Sequence, residues 1–328
     1  MIARPYRTEA RTYSGVADLR PLLQFASKAS VERLPLIANW HPGDFVWGLK
    51  GAYDQRQPIR LWDSTAGIRA VAWFVGSNSV WLEALPDDED LVPEVVGWAE
   101  ALVRKRAVER GDGCLSIRAF ERDDRRMSAL ENLGYQRSGP EGVQYRMDLK
   151  APRPTPDRLT GFIPKDSVGI DPDVRARAHR DAWNDLAHIG IANARSTFTD
   201  EIYRSLREAP VYDPRLDIVV EARDGRLVSN CICWADDESG IGMLEPVGTS
   251  AAFRGRGLAV LAISEGLRRL QARGHDWARW RRALQRAGHG HVPVLRLRAV
   301  RPHTLVGKGA LRRRRATARL PSLQKEFA

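Results

Sequence analysis

The stretch "EPVGTSAAFRGRGLAVLAISEGLRRLQARG", residues Glu245–Gly274, ends a strand-like run, crosses a loop with two arginines and two glycines, and enters a long amphipathic helix. Glycines at such an entrance let the backbone turn tightly and approach a ligand with no Cβ in the way. The first turn of a helix also presents N–H groups without intrahelical partners and the positive end of the peptide dipole. Together these features make an anion site, for which a pyrophosphate is a natural guest, and Arg254 and Arg256 would add charge. Neither GxxxxGK[ST] nor GxGxxG after a first strand is present, so the commoner phosphate loops do not apply. The plainer alternative is a glycine-softened helix entrance that holds nothing.

Working outward, "KAPRPTPDR" (Lys150–Arg158) carries three prolines in nine residues and reads as an extended linker. It divides the 328 residues into a domain over 1–149, a linker over 150–158, a second domain over 159–283 and a basic tail over 284–328. In the first domain "VADLRPLLQFA" is helical, and "IRLWDS", "IRAVAWFVGS" and "VWLEALPDD" are consecutive strands. The helix "DLVPEVVGWAEALVRKRAVERG" follows, with Leu91, Val95, Val96, Trp98, Ala99 and Leu102 on one face. The second domain repeats the order: helices in "DPDVRARAHRDAWND" and in "TDEIYRSLREA", which Thr199 caps, then "LDIVVEA", "LVSNCICWADD" and "GMLEPVGT" as an antiparallel meander turning at Asp224-Gly225. The long helix from Gly257 closes it. Helix, three strands and a long helix thus occur twice, which predicts an α/β (α+β) class with two tandem mixed, mostly antiparallel sheets flanked by helices.

The run Arg254-Gly255-Arg256-Gly257-Leu258-Ala259 resembles the R/Q-x-x-G-x-G/A signature of the GCN5-related N-acetyltransferase (GNAT) superfamily, and it follows its strand at the distance that superfamily requires. The tandem arrangement resembles mycothiol-synthase-like members. The resemblance implies that Val247, Gly248 and Thr249 lie on the strand that pairs with the pantetheine arm of acetyl-CoA. It implies that Arg254, Gly255, Arg256, Gly257, Leu258 and Ala259 hold the pyrophosphate. In the first half the corresponding loop is "PDDEDLVPE", where Asp87, Asp88, Glu89 and Asp90 would repel an anion and favour a helix N-terminus. That half reads as a degenerate domain.

Acetyl transfer to an amine needs a base for the ammonium proton and an acid for the leaving thiolate. Glu245, on the strand beside the thioester, is the base candidate; a structural salt bridge or hydrogen bond is the alternative. Asp236, Asp237 and Glu238 read as a solvated turn. Trp183, Tyr203 and Tyr212 line either an acceptor pocket or the core. The superfamily's acid tyrosine, in N-x-x-A-x-x-x-Y-x-x-x-G-F, is missing after Gly274.

Residues Trp277–Ala328 hold twelve Arg, two Lys and one Glu, a net +13 that exceeds the +11 of the whole chain, so the other 276 residues carry −2. Read one nucleotide later, with free choice of synonymous codons, Leu284–Leu311 can encode N-x-x-x-x-A-x-Y-x-x-x-G-F followed by a stop. A frameshift near Trp280 is therefore expected, with an irregular segment after it. Arg312–Arg315 and His289, His291 and His303 would otherwise suggest nucleic-acid contact or metal ligation, both generic in such a tail. No metal is expected. Cys114, Cys231 and Cys233 suit neither a disulfide framework nor a zinc site. No apolar run reaches membrane-spanning length and no signal peptide is evident, so a cytoplasmic protein without membrane partners is expected. The expected function is acetyl-CoA-dependent acetylation of a primary amine on a small molecule or peptide. A noncatalytic acyl-CoA-binding protein is the alternative, and nucleic-acid binding through the tail is a third reading.

Overall fold

The structure, a computed structural model, describes residues 7–33, 38–53, 58–75, 78–110, 115–152, 159–187, 193–283 and 298–307. The chain forms two compact units. The first comprises residues 1–41, 53–143 and 301–327, and the second comprises 42–52 and 144–300 with Ala328. Residues 42–52, which the sequence reading places in the first domain, thus pack with the second. Most of the linker, 153–158, lies outside the described residues.

In the first unit β1 (Glu9–Thr12), α1 (Val16–Glu32), β2 (Ile59–Ser64), β3 (Gly67–Val75) and β4 (Ser79–Ala84) are followed by a short helical turn at Pro86–Leu91. Then come α3 (Val92–Arg110), β5 (Ser116–Phe120) and α4 (Asp124–Asn132); the helix α2 (Pro42–Leu49) belongs to the second unit. Strands β1 to β4 are antiparallel neighbours, and β5 runs parallel to β4 over Ser79–Trp81 against Ser116–Arg118. The apolar stripe of α3 behaves as its spacing dictates: Leu91, Val95, Val96 and Ala99 are buried against Val80, Leu82 and Ile117, with Trp98 and Leu102 partly buried beside them. Strand β6 (Gln136–Asp148) contains the division between the units.

The second unit continues with β7 (Phe162–Asp166), α5 (Pro172–Trp183), α6 (Asp200–Arg207), β8 (Asp217–Ala222), β9 (Leu227–Asp236), β10 (Ile241–Thr249), α7 (Leu258–Ala272) and β11 (Trp277–Ala283). Its strand order is β7-β8-β9-β10-β11, antiparallel except for the parallel pair β10-β11. Helix α7 lays Leu258, Leu261, Ala262 and Leu267 on one face of that sheet, against Ile218, Val220, Cys231 and Leu244. Thr199 caps α6, its Oγ1 accepting from the N–H of Ile202 at 3.3 Å, and Gly225 takes the left-handed turn position at φ 81°. Cys231 and Cys233 are free and buried on the α7 side of β9. Cys114 lies outside the described residues.

One expectation is corrected. Within the tail read as irregular, Arg298–Gly307 forms β12, antiparallel to β5 with His303 opposite Phe120 and Gly307 opposite Ser116. A strand edge offers a row of N–H and C=O groups that an extended segment pairs with whatever its side chains, so poor patterning does not prevent it. Residues 284–297 and 308–328, with His289, His291 and Arg312–Arg315, lie outside the described residues. Among the described residues no helix is long and apolar enough to cross a membrane.

Candidate functional site

The site grows from the way β10 is paired. Along one edge it follows β9 from Ile241 to Thr249, with a bulge between Leu244 and Val247. Along the other it meets β11 only over Ile241–Met243, opposite Trp277–Arg279. Past Met243 the two parallel strands part, so alternate peptide groups of Leu244–Thr249 face a gap that an extended ligand could pair with. Glu245 stands at the bulge. Its carbonyl accepts from Nε1 of Trp234 at 2.6 Å, and its carboxylate favours the charged form of buried Arg279. Burial drags Arg279 down to about 10, against the pull of Asp44, whose Oδ2 accepts from its Nη2 at 2.6 Å, and of Glu245.

Beyond Thr249 the chain makes a short turn at Ala251–Phe253 and enters α7 through two left-handed glycines, Gly255 at φ 75° and Gly257 at φ 79°. Only glycine takes this conformation without strain. Gly257 is the N-cap and no side chain caps the helix, so the first N–H groups of α7 are left to solvent or a ligand. Gly255, Arg256 and Gly257 are exposed, and a Cβ on Gly255 would meet nothing within 4 Å. Arg256 lies over the Phe253 ring at 5.1 Å and its Nη2 donates to the carbonyl of Ala252 at 3.3 Å, which keeps its charge beside the loop. Leu258 is buried beneath the helix start and Ala259 half-buried beside it. An open, cationic, Cβ-free cradle of N–H donors suits a pyrophosphate.

The structure brings Val247, Gly248 and Thr249 to one end of this cradle, but Arg254 does something else. Its Nε donates to the carbonyl of Thr249 at 3.1 Å, and its Nη2 to the carbonyls of Ala182 at 3.0 Å and Asp185 at 2.5 Å. The guanidinium is thus a strut between the loop and the end of α5. Thr249 in turn shares a 2.8 Å hydrogen bond between its Oγ1 and Ser229 Oγ. The turn at Asp236–Glu238 is only partly solvated: Asp236 is buried and accepts from Ser239 Oγ, while Asp237 pairs with Arg273 on the surface. Tyr203 and Tyr212 are held by buried Asp217, which accepts from both hydroxyls at 3.0 and 2.9 Å and also pairs with Arg175 at 2.7 Å. Burial and that carboxylate push both phenols up, which makes them poor proton donors.

The first unit carries the same frame. Its parallel pair also spans three residues, and matching Ser79 to Ile241 sets Glu83 against Glu245 and Arg118 against Arg279. Only the "LE" shared by "VWLEAL" and "GMLEPV" signalled this match in the sequence. The loop that follows is closed. Glu83 and Glu89 are buried around Arg33 and Arg126, with Arg126 Nη2 at 2.6 Å from Glu89 and 3.1 Å from Glu83. Asp88 pairs with buried Arg69 at 2.5 Å. The sequence reading turned these carboxylates outward to repel an anion; two of them turn inward and occupy buried cations.

No family model and no curated protein matches the chain by sequence. Solved structures do match it. A GCN5-related N-acetyltransferase from Sphaerobacter thermophilus superposes with TM-score 0.54 at 19% identity, over 93% of this chain and 96% of that one. A tandem GNAT protein from the clavulanic acid biosynthesis pathway gives 0.55 at 13% identity, over 94% and 100%. The chain has a tandem GNAT fold. The same fold is present in the C-terminal domain of a putative lysylphosphatidylglycerol synthetase from Agrobacterium fabrum, with TM-score 0.53 at 14% identity over 90% of this chain and 92% of that one. In the second unit the parted pair β10-β11 leads into the uncapped start of α7, and in the first unit the equivalent loop is occupied by its own carboxylates.

Proposed function

We propose that the chain is an acetyl-CoA-dependent N-acetyltransferase that acetylates a primary amine of a small molecule or peptide, with the acyl donor held by the second unit. The observation that carries this reading is the half-paired strand β10 leading into the uncapped, double-glycine start of α7. Peptide groups of Leu244–Thr249 would hold the arm of the donor, and the N–H groups of Gly257, Leu258 and Ala259 its pyrophosphate, with Arg256 adding charge. Arg254 supports the loop from behind. Acetyl-CoA would supply the thioester: as the amine forms the amide bond the C–S bond breaks and the thiolate leaves, taking its proton from solvent. Glu245, half-buried at the bulge, would take the ammonium proton directly or through one water, with the charge of Arg279 nearby to favour its carboxylate form.

Noncatalytic acyl-CoA binding is the second reading, favoured by the engagement of Tyr203 and Tyr212 with Asp217, which leaves neither as an acid for the thiolate. Calorimetry with acetyl-CoA tests the shared part of both readings, and thiol release across a panel of amines separates them. Binding with no thiol release on any amine would leave the second; no binding would end both.

A further inference from the structure

Helix α5 crosses β9 and β10 on the face opposite α7, and beneath it lies a group of buried polar atoms that the proposed chemistry does not use. Among the described residues, both ring nitrogens of His179, both amide atoms of Asn230 and Nε1 of Trp183 are buried and have no hydrogen-bond partner. Buried polar atoms are nearly always paired, and five orphans in one place mark a spot where a polar partner belongs.

They are one place. Asn230 pairs across the sheet with Gly248 on one side and Val219 on the other, and directly opposed residues of an antiparallel pair share a face. A Cβ on Gly248 would lie 2.8 Å from Ala182 Cβ and 2.9 Å from Nε1 of Trp183, while Val219 packs against Ala178. Asn230 therefore lies under the turn of α5 between Ala178 and Ala182, with Gly248 and Val219 opposite it in the sheet. His179 stacks on Trp183 with ring centroids 5.8 Å apart, and Trp47 and Phe198 close its other sides at 5.5 and 4.5 Å. Burial, reinforced by Arg175, Lys50 and Arg180, holds the imidazole well below its usual range, so it is neutral and offers one donor and one acceptor.

The donors and acceptors of these three side chains are uncharged; Nη1 of Arg175, one turn earlier on α5, is also buried without a partner, but its charge is matched by Asp217 at 2.7 Å, and the Asn230 carboxamide offers a donor and an acceptor side by side. The complement is another amide between aromatic walls; a carboxylate or ammonium would be desolvated without a counter-ion. The donor's own arm contains amides, but the gap it would follow lies along the far edge of β10, whereas Asn230 is one strand further in, under α5.

We propose that Asn230, His179 and Trp183 form the recognition pocket for the acceptor, selecting an amine that carries a neutral carboxamide. This rests on the acetyltransferase reading above, and it goes further by naming the substrate class. The strut from Arg254 to the carbonyls of Ala182 and Asp185 would then fix the acceptor wall to the cofactor loop.

The test uses the full chain with acetyl-CoA and three amines that differ in one group: L-phenylalaninamide, its methyl ester and L-phenylalanine. We expect kcat/KM for the amide to exceed that for the ester and the acid by about tenfold or more, the discrimination typical of a site built to hydrogen-bond its substrate. Asn230→Leu should bring the amide down to the ester while acetyl-CoA affinity stays within about twofold; removing an amide that has no partner should not unfold the chain. His179→Phe, close in shape, should reduce the preference as well and serves if Asn230→Leu does not fold. A preference for the acid, or selectivity unchanged in both variants, overturns the proposal. So does a loss confined to acetyl-CoA affinity, which would give these atoms to the donor, and so does ordered water alone bridging them in a crystal soaked with the amide. If the wild type binds no acetyl-CoA, the acetyltransferase reading has failed and calorimetry with L-phenylalaninamide alone decides the pocket. Binding lost in Asn230→Leu supports it, and no binding to the wild type overturns it.

Discussion

Gly257 and Glu245 represent two ways in which a single residue can be read. At Gly257 the backbone itself is the argument: φ is 79°, the residue caps α7 without a side chain, and its surroundings are open. Gly257→Glu would strain the turn and set a negative charge at the helix N-terminus, against the pyrophosphate. Acetyl-CoA affinity should fall by about a hundredfold, the order of 3 kcal/mol for a like charge plus a lost N–H contact. Calorimetry on a variant with an unchanged circular dichroism spectrum checks it, and retained affinity would refute the loop assignment. At Glu245 the side chain is the argument, and its counterpart Glu83, whose carboxylate holds buried Arg33 and Arg126 and accepts from the N–H of Asn39, offers the rival role. Glu245→Gln should lower kcat by about 10²- to 10⁴-fold, the usual yield of a positioned base, with acetyl-CoA affinity kept. Equal turnover in the variant would assign Glu245 the structural role of Glu83. Arg254 marks where residue reading stopped short. Its place in the signature was legible, but that it would donate to Thr249, Ala182 and Asp185 depended on a contact across about seventy positions of chain that no local spacing carries.

At the scale of elements, the alternation of β8, β9 and β10, the stripe of α3 and the caps at Thr199 and Gly225 were all legible, because periods of two and 3.6 and turn chemistry are local. Strands β1, β7 and β12 and the helix α2 were not: each is short, or paired by its position at a sheet edge more than by its pattern. The segment Pro86–Leu91 shows the same limit. Its four acids were read by sign alone, as an anion-repelling helix start, whereas Asp88 and Glu89 meet cations contributed by β3, α4 and the end of α1. Arg126 is fully buried, and its charge is held up by Glu89 first and then by Glu83 and Asp123. Glu89→Ala would remove the nearer of the two carboxylates paired with Arg126 and should cost about 3 kcal/mol, the lower end of the penalty for breaking a buried pair, because Glu83 stays at 3.1 Å. Urea unfolding measures it. Arg126 and Arg33 hold the Glu89 carboxyl below its ordinary value despite burial, so its stabilising contribution is fully present above the unfolded carboxylate value and is lost as pH falls from there through the lower folded one. The difference in stability between wild type and Glu89→Gln should therefore shrink between about pH 5 and pH 3. A gap that widens on acidification would contradict the assignment.

At the scale of the whole molecule, the duplication is visible as two sheets with the same three-residue parallel pairing, yet the two copies have divergent loops after that pair. In the second unit the loop is open and rich in glycine; in the first, the carboxylates of the chain itself fill the space with buried ion pairs. An internal carboxylate held at 2.6 Å by Arg126 competes with any added anion at an effective concentration no free cofactor reaches, and Asp87 and Asp90 add repulsion at the mouth. The chain should therefore bind one equivalent of acetyl-CoA, although it contains the fold twice. Calorimetry should give a stoichiometry of about one, carried wholly by the second unit. Gly257→Glu should weaken that single site about a hundredfold, and Asp87→Asn with Asp90→Asn, both exposed on the closed loop, should leave both stoichiometry and affinity unchanged. Two equivalents in the wild type, or one equivalent that survives Gly257→Glu and is lost when the first unit is altered, would reverse the roles of the two copies.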